Sequence, residues 1–412
     1  MEATEDRAPG RIINPLSEGR LVAAPFTGLP KGSPSVHLDA LRGFAAFSVL
    51  LNHWRDAFFT DYGSIAHPGF AGTLAYVATG LGRQWVIVFF VMSGYLVGGS
   101  VLRSVNSARW SWPDYLLARL SRLYIVLLPA LLLGGTLDWA GMHLAGTQAI
   151  YSGRSGMHAL ITDVHAGLTI PALVGNSFFL QTIVLPGMRG RAVPVFGSNG
   201  PLWSLCNEFW YYLAFPLLVL LLAKGRTWRR RLLCGLGLLT WEWFVGHSIA
   251  LLGIPWLMGA LIVYLPSISL RRVWVRGLAV SSVLLLLAAG LVLSRWLDSL
   301  FGEILLGAVV ALLIWVTLSC PTTPLPSVYV HIAHRSSRSS YTLYLVHFPM
   351  LIFLKAWFHE PRSLPGMHTL LVSAGILLGV LLYAQVVYEV FEKNTDRLRG
   401  WLKLHLMQGQ RA

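Results

Sequence analysis

The sequence predicts an all-α polytopic membrane protein, and three observations support this. Of the 412 residues, 55% are hydrophobic and only 12% are charged, whereas soluble globular proteins carry about 25% charged residues. The apolar residues are grouped in segments of about 20, the length that an α-helix needs to cross a bilayer. The net charge of +14 comes mostly from Lys and Arg near the ends of these segments. The composition excludes a disordered chain and an ordinary soluble enzyme.

Ten apolar segments are candidate spans. In chain order they are 38–59, 84–102, 116–138, 203–223, 231–247, 249–265, 277–294, 300–318, 340–358 and 367–391. An eleventh segment, 168–185, is short and is interrupted by Pro171, Gly175 and Asn176. This segment is either a full span or a re-entrant or surface piece.

Charge placement predicts the orientation, because Lys and Arg accumulate in cytoplasmic loops. With ten spans and both termini inside, 24 of the 32 Lys and Arg residues fall in inner segments. Counting 168–185 as a span would invert every later loop and put the basic cluster at 226–231 outside. We therefore expect 139–202 to lie outside, with 168–185 dipping into the membrane or lying at its surface. The basic charge then reflects topology, and we expect no nucleic-acid partner.

These spans define the domain organisation. We expect a mobile cytoplasmic tail at 1–36, a transmembrane domain at 37–392 and a basic cytoplasmic tail at 393–412. Residues 1–36 have no apolar core, so we expect no cleavable signal peptide. The three cysteines lie in or beside apolar segments without metal-site spacing. We expect neither a structural disulfide nor a bound metal, and no permanently bound cofactor.

The first span contains the sharpest functional candidates, because charged or ionisable groups at bilayer depth are costly. Arg42 and His53 are eleven residues apart, which places them within about 20° on one helix face and about 16 Å apart along the axis. Arg42 could be an inner-boundary anchor, and His53 could make an interhelical hydrogen bond. Alternatively, a neutral imidazole is a good general base near neutral pH.

Two further spans begin with polar groups. Arg119 and Arg122 lie side by side at i and i+3, either as inner anchors or as a clamp for phosphates. Ser204 and Glu208 share one face of the fourth span, at its outer end or just inside it. Glu208 is either a solvated rim carboxylate or an acid that positions a histidine.

Two motifs predict packing more strongly than chemistry. The segment FFVMSGYLVGG at 89–99 contains small residues that permit close helix packing. In the segment SSYTLYLVHFP at 339–349, His347 lies within the ninth span, where a structural hydrogen bond is favoured over catalysis.

Several of these motifs together resemble one family. LDALRGFAAFSVLLNH, FFVMSGYLVGG, the RLSR pair, PLWSLCNEFWYYLAFPLL and SYTLYLVHFPML occur in the order found in the membrane acyltransferase-3 family, between about 37 and 392. These proteins are O-acyltransferases of cell-envelope and secreted sugars. Ala40 and Asn207 are mild departures from the family pattern. We expect no fused extracytoplasmic hydrolase-like domain such as some relatives carry, so an acceptor would be found by the membrane part or with a partner.

The resemblance implies ten core spans and an acyl-CoA donor, by default acetyl-CoA, that arrives from the cytoplasm. The family's arginine–histidine motif falls on Arg42 and His53, and its paired arginines fall on Arg119 and Arg122. Its tryptophan–serine–leucine–x–x–glutamate motif falls on Trp203, Ser204, Leu205 and Glu208. Acyl-CoA binding is therefore assigned to the three arginines.

The implied activity is transfer of the acyl group to a hydroxyl of an extracytoplasmic or lipid-linked carbohydrate, at the inner (plasma) membrane. His53 would act as general base or as a transient acyl carrier, and Glu208 would orient the histidine or bind a sugar hydroxyl. Trp203, Ser204 and His347 are candidates for the acceptor site or its support. Glycan-assembly proteins are the expected protein partners. The alternative function is a transporter or flippase for a lipid-linked sugar, which the lack of a visible internal repeat disfavours.

Overall fold

The structure is a computed structural model of the chain, and it is helical throughout the part that it describes, apart from loops and three isolated β-bridges. It describes residues 32–408 apart from 161, 189, 267, 269, 298 and 299. Of the predicted N-terminal tail, residues 1–31 lie outside the described residues, and Ser33 already begins a helix with Pro34 in its first turn.

We number the helices of two or more turns in chain order. They are α1 (Ser33–Phe58), α2 (Gly69–Thr79), α3 (Gly82–Asn106), α4 (Trp112–Met142), α5 (Ile170–Ser177), α6 (Leu202–Leu222), α7 (Trp228–Val245), α8 (His247–Leu261), α9 (Val273–Leu297), α10 (Leu300–Ser319), α11 (Ser327–Arg338), α12 (Ser340–Trp357), α13 (Met367–Val390) and α14 (Thr395–Gln408). α14 lies in the basic C-terminal tail.

Each of the ten predicted spans coincides with one helix. Among the described residues, seven helices have the length and apolarity of a membrane span, namely α3, α4, α6, α8, α9, α10 and α13. The other three, α1, α7 and α12, fall on predicted spans but carry more polar or charged residues. The all-α polytopic class is therefore confirmed, while the count of ten and the cytoplasmic termini stay predictions.

The segment 168–185 does not form a full span. Its helix α5 has eight residues, which is about 12 Å at 1.5 Å per residue, against about 30 Å of hydrocarbon. Pro171 lies at the start of α5, where a missing N–H costs little. Asn176 closes the helix by bonding to the chain at Pro194 and Phe196.

The centre of the bundle is α12, which packs against α1, α4 and α13. Its residues 342–349 are all buried. α3 is also central, with 78% of its most apolar window inside the protein, and it packs against α1 and α8. By contrast, α9 and α13 are only 28% buried by the same measure and form the periphery.

The long segment between α4 and α6 is fastened to the end of α1. Asp56 is buried and accepts hydrogen bonds from the backbone N–H groups of His158 (3.1 Å) and Ala159 (2.8 Å). At the other end of the segment, the Asn199 amide donates to the Leu345 carbonyl of α12 at 2.8 Å. The segment is thus held against the two helices that carry His53 and His347.

Candidate active site

A cavity of about 120 Å³ lies among α1, α3, α4, α6 and α12. Five of the residues predicted from sequence line it: Arg42, Arg119, Arg122, Ser204 and Glu208. The rest of the wall is largely apolar and aromatic. The helices thus bring together side chains that are up to 166 positions apart in the chain.

Arg42 is held from two sides. Its Nε donates to the Ser337 hydroxyl at 2.8 Å, and its terminal nitrogen contacts the same hydroxyl. Asp39, one turn earlier on α1, lies 3.4 Å from the guanidinium and accepts a hydrogen bond from Ser337 at 2.7 Å. The side chain is 22% exposed, so Arg42 is oriented but still accessible from the cavity.

Arg119 and Arg122 differ in burial and in hydrogen bonding. The Nε of Arg119 is buried and has no hydrogen-bond partner, although the guanidinium lies 5.9 Å from the centre of the Tyr115 ring. Arg122 is exposed. A buried donor without a partner costs about 1–3 kcal/mol, so an anion in the cavity would relieve that cost.

Glu208 faces the arginine-lined cavity from α6. Its carboxylate accepts hydrogen bonds from Ser93 at 2.6 Å and from Tyr212 at 2.5 Å, and it faces the same cavity as the arginines. Its predicted depth, at the outer end of the span or just inside it, stays a prediction. Glu208 follows Leu202, the first residue of α6, by six residues, which is about 9 Å along the helix axis.

His53 forms a pair with His347. The Nδ1 of His53 is 2.8 Å from the Nε2 of His347, and the two rings are parallel within 10°. The Nδ1 of His347 lies 2.9 Å from the Leu343 carbonyl and 2.8 Å from the Tyr344 carbonyl. Phe348 packs edge-on against His53 at 4.8 Å between ring centres.

The hydrogen-bond network assigns the protons of this pair. A carbonyl only accepts, so the Nδ1 of His347 carries the hydrogen and its Nε2 is the acceptor. His53 then donates through Nδ1, which leaves the Nε2 of His53 with a free lone pair. The sequence favours a structural hydrogen bond for His347, and the structure shows that its partner is the candidate base.

The histidine pair and the cavity are neighbours that share Tyr344. His53 is not among the residues that line the cavity. Tyr344 lines it, lies 6.0 Å from His347 between ring centres, and bonds through its hydroxyl to Ser204 at 2.7 Å. The role of orienting His53, which the sequence analysis offered for Glu208, is filled by His347.

Trp203 lies outside the cavity lining. Its ring packs edge-on against Phe90 at 6.2 Å and lies under the Arg83 guanidinium at 5.3 Å. It therefore supports the helix contact beside the cavity, and nothing in the structure places it against a substrate.

One residue of the cavity wall, Ser93, has no role in the chemistry predicted from the sequence. Ser93 lies within FFVMSGYLVGG, where only the packing role of the small residues was recognised. That packing is confirmed: a methyl group on Gly94 would lie 1.8 Å from the Trp256 carbonyl oxygen. The signal for Ser93 was a lone hydroxyl before a π-helical turn, Gly94–Gly98, and such turns are frequent at functional sites.

A cluster of possible metal ligands occurs at the end of α1. Atoms of Asp56, Asp61 and His158 lie within 4.8 Å of one another. Arg362 is inserted into the group, 2.8 Å from Asp61 and 3.7 Å from Asp56. Burial raises the pKa of Asp61, but hydrogen bonds from Arg362 and His158 outweigh it and hold that pKa below its ordinary value. The arginine makes this an ion-pair cluster.

Comparison with known proteins identifies the family of the chain. The chain matches the family described as an acyltransferase domain over residues 36–388. Together with the apolar helices, this defines a multi-pass membrane protein of acyltransferase type. The chain belongs to this acyltransferase family, and the resemblance predicted from the motifs is confirmed.

Among curated proteins, the chain is 29% identical over 188 residues to acyltransferase MdmB of Streptomyces mycarofaciens. That match covers 45% of this chain and 40% of the relative, so less than half of the relative's length is aligned. No solved structure matches the chain.

Proposed function

We propose that the chain is an O-acyltransferase of the inner (plasma) membrane. It takes an acyl group, most simply acetyl, from cytoplasmic acyl-CoA and transfers it to a hydroxyl of an extracytoplasmic or lipid-linked carbohydrate. The observation that carries this proposal is the juxtaposition of an arginine-lined cavity with a histidine pair that has one free ring nitrogen. Family membership supports the acyl-transfer class, whereas the CoA donor and the carbohydrate acceptor are our proposals.

The donor is held by the arginines. Arg119 and Arg122 bind phosphate oxygens of the CoA moiety, for which the planar guanidinium is well suited. Arg42 is fixed by Asp39 and Ser337 and defines the depth at which the phosphates stop. Because Arg42 and His53 lie on one uninterrupted helix, about 16 Å separates them. This is about the reach of the pantetheine arm, so the thioester arrives beside the histidine pair after passing Tyr344.

The chemical step uses the free Nε2 of His53. The Nε2 takes the proton from the acceptor hydroxyl as its oxygen attacks the thioester carbonyl. The carbon–sulfur bond then breaks, and the CoA thiolate takes the proton back from Nε2. In the other route, Nε2 attacks the thioester carbonyl first, the carbon–sulfur bond breaks, and CoA leaves as a thiolate. The acceptor oxygen then attacks the acyl group on Nε2, the carbon–nitrogen bond breaks, and the proton of the acceptor hydroxyl goes to the CoA thiolate. His347 serves both routes, because it keeps the proton of His53 on Nδ1.

The decisive experiment uses purified full-length protein in lipid nanodiscs, with radiolabelled acetyl-CoA and a panel of glycan acceptors. The expected result is labelled glycan together with CoA release that depends on the acceptor, both lost in His53→Gln. Movement of a lipid-linked glycan across the bilayer without acyl transfer would contradict the proposal and support a flippase.

A further inference from the structure

A second and larger cavity lies on the other side of α1 from the arginine-lined one. This groove has a volume of about 1090 Å³ and runs between the pair α1 and α11 and the pair α9 and α10. Trp85 of α3 also lines the groove, and its ring packs edge-on against Phe44 at 5.1 Å between ring centres. Phe44 is 56% exposed, so the groove has an apolar wall that no described side chain covers.

Polar and apolar groups of the groove are separated along the helix axes. Ser33 and His37 in α1, Arg276 in α9 and Tyr329 in α11 all lie in the first turns of their helices. Further along α1 and α9, the wall consists of side chains such as Phe47 and Leu287. The lining therefore changes from polar to apolar over the length of the groove, as a phospholipid changes from head to tail.

The length of the groove fits one leaflet of a bilayer. From Ser33 to Phe47, and from Val273 to Leu287, the helices advance fourteen residues, or about 21 Å. Half of a hydrocarbon core of about 30 Å is about 15 Å. One acyl chain and its headgroup region fit this span end to end.

The polar end of the groove is positively charged. None of the described lining residues is acidic. Arg276 has no carboxylate within ion-pair distance in the described part of the chain. In the predicted topology this end faces the cytoplasmic leaflet, where anionic lipids are found and where basic pockets between helices bind their headgroups.

We propose that this groove is a binding site for one anionic phospholipid. Its phosphate contacts Arg276, and one acyl chain lies along Phe44, Phe47 and Leu287. The site is separate from the arginine-lined cavity, because α1 and α3 form a wall between the two. The proposal does not depend on the acyltransferase reaction.

The test is photo-crosslinking of the full-length protein in mixed micelles, with phosphatidylglycerol that carries a diazirine in its acyl chain. Phosphatidylcholine with the same diazirine is the neutral probe. We expect phosphatidylglycerol crosslinks to map to residues 41–47 and 280–287 and to be displaced by unlabelled phosphatidylglycerol. Displacement by phosphatidylcholine should need about tenfold more lipid or above, because a charge-assisted contact is lost.

Two variants and two matched controls sharpen the result. Arg276→Gln should reduce phosphatidylglycerol labelling about tenfold or more and leave phosphatidylcholine labelling unchanged, whereas Arg230→Gln on the exposed surface of α7 should change neither. Gly277→Trp should fill the groove, since a Cβ there meets nothing within 4 Å. Gly375→Trp places the same ring in equally open space on α13 and should leave labelling intact.

Three outcomes would overturn the proposal. The first is equal labelling by both lipids with no effect of Arg276→Gln, which would show only bulk lipid in the groove. The second is crosslinking spread evenly over α13. The third is a groove that is labelled only after residues 1–31 are removed, which would make that segment of the chain its occupant. The Arg276→Gln variant still tests the lipid-binding proposal if Gly277→Trp does not fold.

Discussion

At the scale of single residues, the ring nitrogens of two histidines carry the proposed chemistry. His53 and His347 are 2.8 Å apart, and the carbonyls behind His347 set the direction of the hydrogen bond between them. A histidine that only joined two helices would contribute about 0.6 kcal/mol and could be replaced by an amide. The two roles therefore predict different outcomes for the same substitutions.

The first prediction concerns His53→Gln. We expect a well-folded protein that binds acyl-CoA almost normally and turns over about 10²–10⁴-fold more slowly, because an amide cannot accept and return a proton. Turnover per folded molecule and CoA affinity should be measured on the same preparation. Near-normal turnover would remove His53 from the chemistry and leave it as a packing residue.

The second prediction concerns His347 as a positioning residue. In His347→Gln the amide oxygen can still accept from Nδ1 of His53, whereas in His347→Phe no acceptor remains. We expect kcat to fall more in the Phe variant than in the Gln variant, with KM for acyl-CoA nearly unchanged in both. Similar kcat values for two equally stable variants would argue against tautomer control.

The third prediction concerns the donor clamp. Arg119→Ala and Arg122→Ala should each weaken acyl-CoA binding about 10- to 150-fold, the equivalent of about 1.5–3 kcal/mol for a charge-assisted contact. Lys at either position should restore only part of the affinity, because it lacks the planar fork. Arg230→Ala, an exposed arginine of α7, is the matched control. Unchanged CoA binding in the double variant would refute the assignment.

The residues of the site were predictable to different degrees for a physical reason. Arg42 and His53 were predictable as a pair, because one helix relates them and its geometry is fixed by their spacing. The pairing of His53 with His347 was not, because it depends on how α1 and α12 meet across 294 positions. The contacts of Glu208 with Ser93 and Tyr212 were not predictable, because a run of apolar residues shows where a span lies but not which polar group faces a buried partner.

At the scale of the helices, close backbone contact between α3 and α8 holds the cavity wall. The methyl of an alanine at Gly94 would lie 1.8 Å from the Trp256 oxygen, and one at Gly259 would lie 1.9 Å from the Val91 oxygen. Both contacts involve backbone, so neither can yield by a side-chain rotation. Ser93 precedes Gly94 and binds both Glu208 and Trp256, so the helix contact also sets the position of the carboxylate.

The fourth prediction follows from that contact. Gly94→Ala should destabilise the protein by about 1–3 kcal/mol, the usual cost of overpacking. Gly277→Ala is the matched control, since a methyl group there meets nothing within 4 Å. Thermal unfolding in detergent should show a lower midpoint for Gly94→Ala than for the control. Equal midpoints would mean that the two helices can separate at little cost.

The helices themselves were the most predictable feature, because a span must be apolar over about 20 residues whatever its neighbours are. Their ends were less so. α4 begins at Trp112 and α1 at Ser33, several residues before the apolar runs at 116 and 38, since a helix can continue into the polar boundary. The segment 168–185 was ambiguous because its apolar residues pack against α4 and the loop, and burial in protein selects the same residues as burial in lipid.

At the scale of the whole molecule, the predicted orientation in the membrane depends on the helix lengths between α4 and α6 and on the placement of Lys and Arg residues. The described residues between Met142 and Leu202 contain no helix longer than the eight residues of α5, which favours the prediction that the end of α4 and the start of α6 lie on the same side of the membrane. The count of Lys and Arg puts most of the positive charge in inner segments when that side is outside. Together they predict that the arginine-lined cavity lies toward the side from which the proposed CoA donor comes, and that the loop 143–201 lies on the side of the proposed acceptor.

The last prediction tests this orientation with single cysteines. Ala149 and Thr227 are both exposed and lie at opposite ends of the predicted topology. Cys234 and Cys320 would be replaced by Ser to remove reactive background, while Cys206 is buried and can remain. In intact cells, a membrane-impermeant maleimide should label Ala149→Cys and should label Thr227→Cys only after the membrane is opened. The reverse pattern would place the three arginines on the outer side, and a CoA donor from the cytoplasm could then no longer reach them.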